Sequence, residues 1–218
     1  MNKVIKTLGL ALAVSSPLMF AGAAVAQTSS GHSHAHGHDE KRSVHDGYFD
    51  DEQVKPRLLS DWEGDWQSIY PYLVDGTLDS VMADKAKHGD KSAEDYRAYY
   101  DTGYKTDVDR ILIKGKNVTF FRGAAAVSGG YEADGHEILT YRKGNRGVRF
   151  IFRKIAGDGA APQFIQFSDH IIAPQNADHY HLYWGNDRAA LLTEVTNWPT
   201  YYPAKLTGSE IAKEMLAH

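Results

Sequence analysis

Not one cysteine occurs in the 218 residues. That excludes a disulfide framework and a thiolate metal site, so any metal must be held by His, Asp and Glu. There is also no basic block. The formal net charge is −4, and a mildly acidic surface of this kind argues against nucleic acid as a partner. Beyond the N-terminus no apolar stretch approaches the ~20 residues of a membrane span, so no membrane insertion of the mature chain is expected. No internal repeat is visible.

The first 26 residues read as an address rather than as fold. Lys3 and Lys6 precede an apolar run from Leu8, and Ala24-Val25-Ala26 closes it, the pattern of a secretory signal cut before Gln27. Removing residues 1–26 leaves 192 residues with 22 basic and 28 acidic side chains, a charge of −6, enough chain for one domain with a sizeable core. A short signal and no disulfides suit a bacterial periplasm. Residues 27–45, QTSSGHSHAHGHDEKRSVH, form a polar arm that cannot bury itself and is expected to be disordered. His32, His34, His36 and His38 alternate there with small residues; short His-rich tracts of this sort capture metal, here as a weaker, auxiliary site.

Residues 46–218 are expected to be the folded domain. An opening strand is read at Trp66, Ser68 and Tyr70, in preference to a helix capped by Ser60 and Glu63. Two helices follow: one carries Leu78, Val81 and Met82 and ends at Gly89; the other starts at Ser92, carries Tyr96, Tyr99 and Tyr100, and is stopped by Gly103. From Asp107 the pattern alternates between turn signals. The expected strands are 108–114, 117–122, 124–133, 136–142, 147–154, 163–172 and 178–185, with hairpin turns at 114–117, Asp134-Gly135 and Gly144-Asn145. With the Trp66 strand that makes eight, a number that closes into a barrel. Short helices are expected over 187–195 and over 209–216, the latter begun by Thr207 or Ser209. The fold class is mainly β with flanking helices: an antiparallel up-and-down β-barrel with a small helical cap.

Three histidines lie in FIQFSDHIIAPQNADHYHLYWG: His170, His179 and His181. His179 and His181 are two apart, so on a strand they leave the same face. His170 is placed on the incoming strand, opposite His179 across a two-residue turn or opposite His181 across a longer loop, with all three facing the barrel interior. Cross-strand Cβ spacings of ~4.5–5.5 Å let three imidazoles reach one ion. A set of neutral imidazoles without thiolate suits zinc, or copper, nickel or cadmium. Asp169 and Asp178 adjoin the histidines but are expected on the opposite face.

SDWEGDWQSIYP, ILTYRKGNRGVRFIF, FIQFSDHIIAP, HYHLYWGND and NWPTYYP together resemble the ZinT (YodA) family of periplasmic zinc-binding proteins, with related domains fused to zinc-import lipoproteins in Gram-positive species. The resemblance covers residues 46–218. It implies a lipocalin-like (calycin) barrel with a helical cap, induced when zinc is scarce. It also implies a zinc ion in a barrel-end cavity on His170, His179 and His181, with the family's His-rich segment at His32–His38. One departure stands out. Family members carry two cysteines that bridge neighbouring strands, and the matching regions around Gly129 and Lys154 have none; such bridges contribute roughly 2–4 kcal/mol.

Three functions follow as expectations. The first is a non-enzymatic, monomeric scavenger that holds Zn²⁺ in three imidazoles and passes it transiently to the solute-binding protein of a zinc ABC importer. The second is a zinc-dependent hydrolase or hydratase using a His₃–zinc–water site. The third is a lipocalin-type carrier of a small organic ligand, to which Gly64-x-Trp66 points.

Overall fold

The computed structural model describes residues 43–142 and 144–217; residues 1–26, expected to be a secretory signal, and His32, His34, His36 and His38 lie outside the described residues. Eight strands form a closed barrel in which each pairs antiparallel with its sequence neighbours and β8 returns to β1. They are β1 (Gly64–Ser68), β2 (Arg110–Lys114), β3 (Asn117–Arg122), β4 (Ala125–Thr140), β5 (Arg146–Gly157), β6 (Phe164–Ser168), β7 (Tyr180–Gly185) and β8 (Thr200–Pro203). Between β1 and β2 come α1 (Tyr70–Val74), α2 (Asp79–His88) and α3 (Ala93–Tyr104); α4 (Arg188–Thr193) follows β7, and α5 (Gly208–Ala217) ends the described chain.

The number eight was right, but two of its members differ. The expected strands over 124–133 and 136–142 are one long strand, β4, and Asp134-Gly135 is a bulge in it rather than a hairpin turn. Gly135 takes φ 87°, the left-handed conformation glycine adopts without steric cost, and the ladder resumes on the same partner, β5, from His136 onward. The strand that replaces the lost one is β8, from the NWPTYYP segment, wedged between β7 and β1. It is four residues long and follows irregular chain that ends in Pro199, so it carries little alternation for a sequence reading to find. Ser60 and Glu63 cap no α-helix: Leu59–Trp62 is a single tight turn that seats Trp62 in the core. α1, with Pro71 in its first turn, was not anticipated.

Helix ends follow local chemistry. The Ser92 side chain accepts from the Asp95 amide at 3.0 Å to start α3, and Thr207 does the same for α5, receiving the Glu210 amide at 3.3 Å while Glu210 Oε2 accepts the Thr207 amide at 2.7 Å, a reciprocal cap. Gly103 does not stop α3, which runs on to Tyr104. Its missing Cβ makes room for the indole of Trp198, which a side chain there would strike.

Two apolar clusters divide the molecule. One fills the barrel interior with Trp62, Trp66, Phe120, Phe150, Phe152, Phe167, Tyr180, Leu182 and Tyr201 among others. The other lies outside the barrel wall, where Ile69, Leu73, Leu78, Val81, Met82, Tyr104 and Ile211 pack around Tyr202 of β8. Along β7 and β8 the pleat therefore sends Tyr180, Leu182 and Tyr201 inward and His181, Thr200 and Tyr202 outward. The regions around Gly129 and Lys154 lie on the paired strands β4 and β5. There the ring of Tyr131 covers Gly129, and its hydroxyl donates to the Pro162 carbonyl at 2.8 Å.

Candidate metal centre

His181 is fixed by the sheet. It sits in β7 opposite Ser168 on one side and Thr200 on the other, on the outer face of the barrel. This corrects the expectation of an inward-facing triad: the interior is filled with aromatic rings, and the alternation that buries Tyr180 and Leu182 turns His181 out. His170 is not on a strand. β6 ends at Ser168, and Ser168 rather than His170 pairs with His181, so neither expected register forms. His170 lies two residues past the strand with φ 64°, the one non-glycine residue at positive φ among the described residues. Such a conformation costs about 1 kcal/mol or more for a side-chain-bearing residue, and its surroundings must impose it.

Asp169 imposes it. Its carboxylate is buried against Arg57, with Nη1 at 2.6 Å from Oδ1 and both side chains without exposed surface. Trp62 Nε1 donates to Oδ2 at 3.0 Å, and the Ile171 amide donates to Oδ1 at 3.2 Å. Arg57 also donates to the carbonyls of Ile171 and Gln175, at 3.2 and 2.7 Å. Burial pushes the Asp169 carboxyl above the usual carboxylate range, against the pull of Arg57. With Asp169 directed inward, His170 is thrown outward, toward His179 and His181.

The three rings make a nearly equilateral triangle, with centroids 5.9, 5.7 and 6.0 Å apart. One ring nitrogen of each lies within 4.8 Å of the others. Around a tetrahedral zinc the ligand nitrogens are about 3.3 Å apart, so small side-chain rotations close the remaining gap. The tautomers suit the task. Thr200 Oγ1 donates its only proton to the Trp198 carbonyl at 2.9 Å, so the 2.8 Å contact with His181 Nδ1 requires Nδ1–H to be the donor. The 3.2 Å contact of His170 Nδ1 with the His45 carbonyl requires the same of His170. In both rings the lone pair is on Nε2. This is the outer-shell arrangement that orients ligating imidazoles and raises their basicity. His179 stacks on Tyr202 at 5.1 Å and 10°, and His45 stacks on His170 at 4.6 Å and 24°. Burial, then repulsion from His170, His179 and Arg149, holds His181 well below the ordinary imidazole value, so it stays neutral.

The cluster opens into a cleft of about 340 Å³ between the barrel wall and the helices, lined by Lys85, Tyr99, Tyr100, Tyr104 and Met215. Sequence reasoning missed the supporting residues. His45 falls in the segment expected to be a disordered arm, yet residues 44–47 form a turn whose Val44 packs on the barrel core. Thr200 and Tyr202 belong to the strand that was not anticipated. No local signal marks them. Asp178 is exposed, and Asp169 is turned away into its ion pair.

A closed eight-stranded up-and-down barrel with outlying helices is a lipocalin-like fold, and an imidazole triad on its wall makes this one of metal-binding type. The match to known sequences is specific. The chain belongs to the ZinT (YodA) family, described as periplasmic lipocalin-like zinc-recruitment, whose model matches residues 40–218. It is 60% identical over 181 residues to the probable metal-binding protein YrpE of Bacillus subtilis, covering 83% of this chain and 72% of that one. It is 52% identical to the zinc-binding protein AdcA of Streptococcus pyogenes, of which it spans 36%. Among solved structures it superposes on the Zn(II)-bound ZinT-like domain of Streptococcus pneumoniae AdcA with a TM-score of 0.78 and 48% identity, covering 80% of this chain and 98% of that domain.

If Asp169 sets the conformation of His170, Asp169→Ala should cost about 3–5 kcal/mol by leaving Arg57 buried and unpaired. Urea unfolding of the variant measures this. A midpoint within experimental error of wild type would show that the pair does not hold the loop.

Proposed function

We propose that this chain is a zinc-recruiting protein that binds Zn²⁺ through Nε2 of His170, Nε2 of His181 and a ring nitrogen of His179. The observation that carries this is the triangle of imidazoles, two of them with Nδ1 already committed as donor to a neighbouring oxygen. The zinc-binding names of the AdcA relatives and the Zn(II)-bound state of the neighbouring crystal structures support it. Three protein ligands leave a fourth position for exchange, which suits a carrier acting under zinc scarcity. The receiver on this reading is the solute-binding protein of a zinc ABC importer, and the place is the periplasm, reached through residues 1–26. The chain spans only 36% of AdcA, so this partnership is inferred from the chemistry of the site and the company the domain keeps. Cadmium, nickel and copper satisfy the same donor set. The protein acts as a monomer and performs no catalysis: of the two carboxylates that adjoin the triad in sequence, Asp169 is tied to Arg57 and Trp62 and out of reach as a general base, and Asp178 is exposed to solvent.

Alanine at His170, His179 or His181 should each lower zinc affinity by orders of magnitude, because two imidazoles do not define a tetrahedral site. Competition against a chromophoric chelator reads this directly; an unchanged dissociation constant in any one variant removes that residue from the ligand set.

Affinity should also fall with pH. Zinc needs neutral imidazoles, and protons compete below the ordinary value of about 6.5. The lowered pKa of His181 keeps that ring neutral in the folded protein, and the stability gained by burying it neutral is lost as pH drops below 6.5, where the unfolded chain takes the proton. Occupancy at sub-saturating zinc should thus decline between about pH 7.5 and 5; a flat profile would assign the metal to carboxylates.

The arm histidines His32, His34, His36 and His38 would supply weaker, faster-exchanging capacity: a segment with the polar composition of residues 27–42 is expected to lose ~1–2 kcal/mol of backbone freedom per residue on ordering around an ion. Deleting residues 27–42, which leaves the turn at residues 44–47 in place, should reduce the number of ions bound and slow loading while the tightest constant changes little. A tightest constant weakened by orders of magnitude would instead make an arm histidine the fourth ligand.

A further inference from the structure

Beside the triad lies a second cavity of about 490 Å³, lined by His170, His181, Ser168, Tyr183 and Arg149. Arg149 is the anomaly there. It leaves the outer face of β5 and is only 1% exposed. Phe150 pairs with Phe167 and Ser168 pairs with His181, so continuing the register by one residue aligns Arg149, Ser168, His181 and Thr200 in a row across four strands. Its guanidinium stacks on Tyr183, with Cζ 3.2 Å from the ring centroid, and Nη2 donates to the Glu194 carbonyl at 2.9 Å. Nε and Nη1 have no hydrogen-bond partner among the described residues. No salt bridge to Arg149 occurs there either, whereas the other arginine of this cavity, Arg146, is paired with Asp51 and with the Phe49 carbonyl. The acidic residue of the lining, Asp46, is exposed and engaged by Ser43.

A buried, unpaired cation is costly anywhere, and more so next to a metal site. Arg149 and His181 lie in one row of the sheet and line the same cavity, so the guanidinium must repel a dication held on His181. The arrangement makes sense only if negative charge enters between them. We propose that the cavity beside the triad is an anion subsite, in which a small free carboxylate accepts hydrogen bonds from Nε or Nη1 of Arg149 and places its other oxygen on the metal as fourth ligand. This rests on the reading of the triad as the zinc site. Guanidinium is the side chain suited to carboxylate, and the volume falls in the range of small-molecule pockets. Metal and anion would then bind with positive coupling: each lowers the cost of the other, and loss of the carboxylate would loosen the ion for transfer.

The test uses the full mature chain loaded with Co²⁺, whose visible d–d bands report coordination geometry, titrated with acetate against methanesulfonate at constant ionic strength. Zinc affinity is measured in the same two buffers after correction for acetate binding to free metal. Expected for wild type is a saturable change in the cobalt bands with acetate only, and tighter zinc binding in acetate. Arg149→Met should weaken acetate binding by about tenfold or more, the loss of a charge-assisted hydrogen bond, and abolish the acetate dependence of zinc affinity, with Arg149→Lys intermediate. A wild-type spectrum indifferent to acetate overturns the proposal whether or not the variants fold. So does an equal acetate response in wild type and Arg149→Met, which would leave Arg149 a structural residue. If cobalt gives no tetrahedral bands at all, the triad reading fails and the anion subsite with it; bands without an acetate response sink the subsite alone.

Discussion

A carboxylate and a guanidinium, both without exposed surface, hold the one irregular stretch on which the site depends. Asp169 and Arg57 meet at the end of the barrel, capped by the indole of Trp62, over which the guanidinium also stacks at 4.0 Å. Taking two charges out of water is repaid only when every donor and acceptor finds a partner, and here Arg57 spends its remaining donors on Asp61, Ile171 and Gln175. Those last two carbonyls belong to the loop between β6 and β7. The pair therefore does not merely bind two side chains; it sets the path of the chain segment that begins with His170 and ends at His179.

The consequence is a division of labour across the barrel wall. The interior is filled by a cluster of aromatic rings around Trp62, Phe150, Phe152 and Phe167, an apolar environment unsuited to an ion. The outer wall at β7 and β8 is only half covered, because the helices bury Tyr202 but stand off from the three imidazoles. A cluster held rigidly on its sheet side and open on the other combines preorganisation with access, which is what a carrier that must also release its cargo requires. The unpaired Arg149 beside it belongs to the same wall and has the opposite electrostatic preference from the triad's cargo, which is why an anion resolves the conflict.

Local chemistry alone was enough for much of the fold. Trp66, the β2–β3 hairpin, the Ser92 and Thr207 caps and the helices after β7 and at the end were legible because each depends on neighbours a few residues away. The bulge at Gly135 and the strand β8 were not. A bulge and a hairpin turn share the same Asp-Gly signature, and only the presence of one continuous partner, β5, distinguishes them. β8 exists because β1 and β7 present unpaired edges that it satisfies; nothing within four residues announces that.

The same boundary runs through the site. The sequence by itself determined the identity of the three imidazoles, the absence of any thiolate alternative, and the common face of His179 and His181, since these follow from composition and the two-residue period of a strand. Which face that was, and how His170 reached it, were decided only by the tertiary structure. The inward side of β7 went to Tyr180 and Leu182 because eight strands closed around an apolar core, and His170 joined from a left-handed turn because Asp169 was drawn beneath it to Arg57, a residue 112 positions away in the chain. Periodicity travels along a strand; the choice of side and the pairing of buried charges exist only once distant segments are in contact.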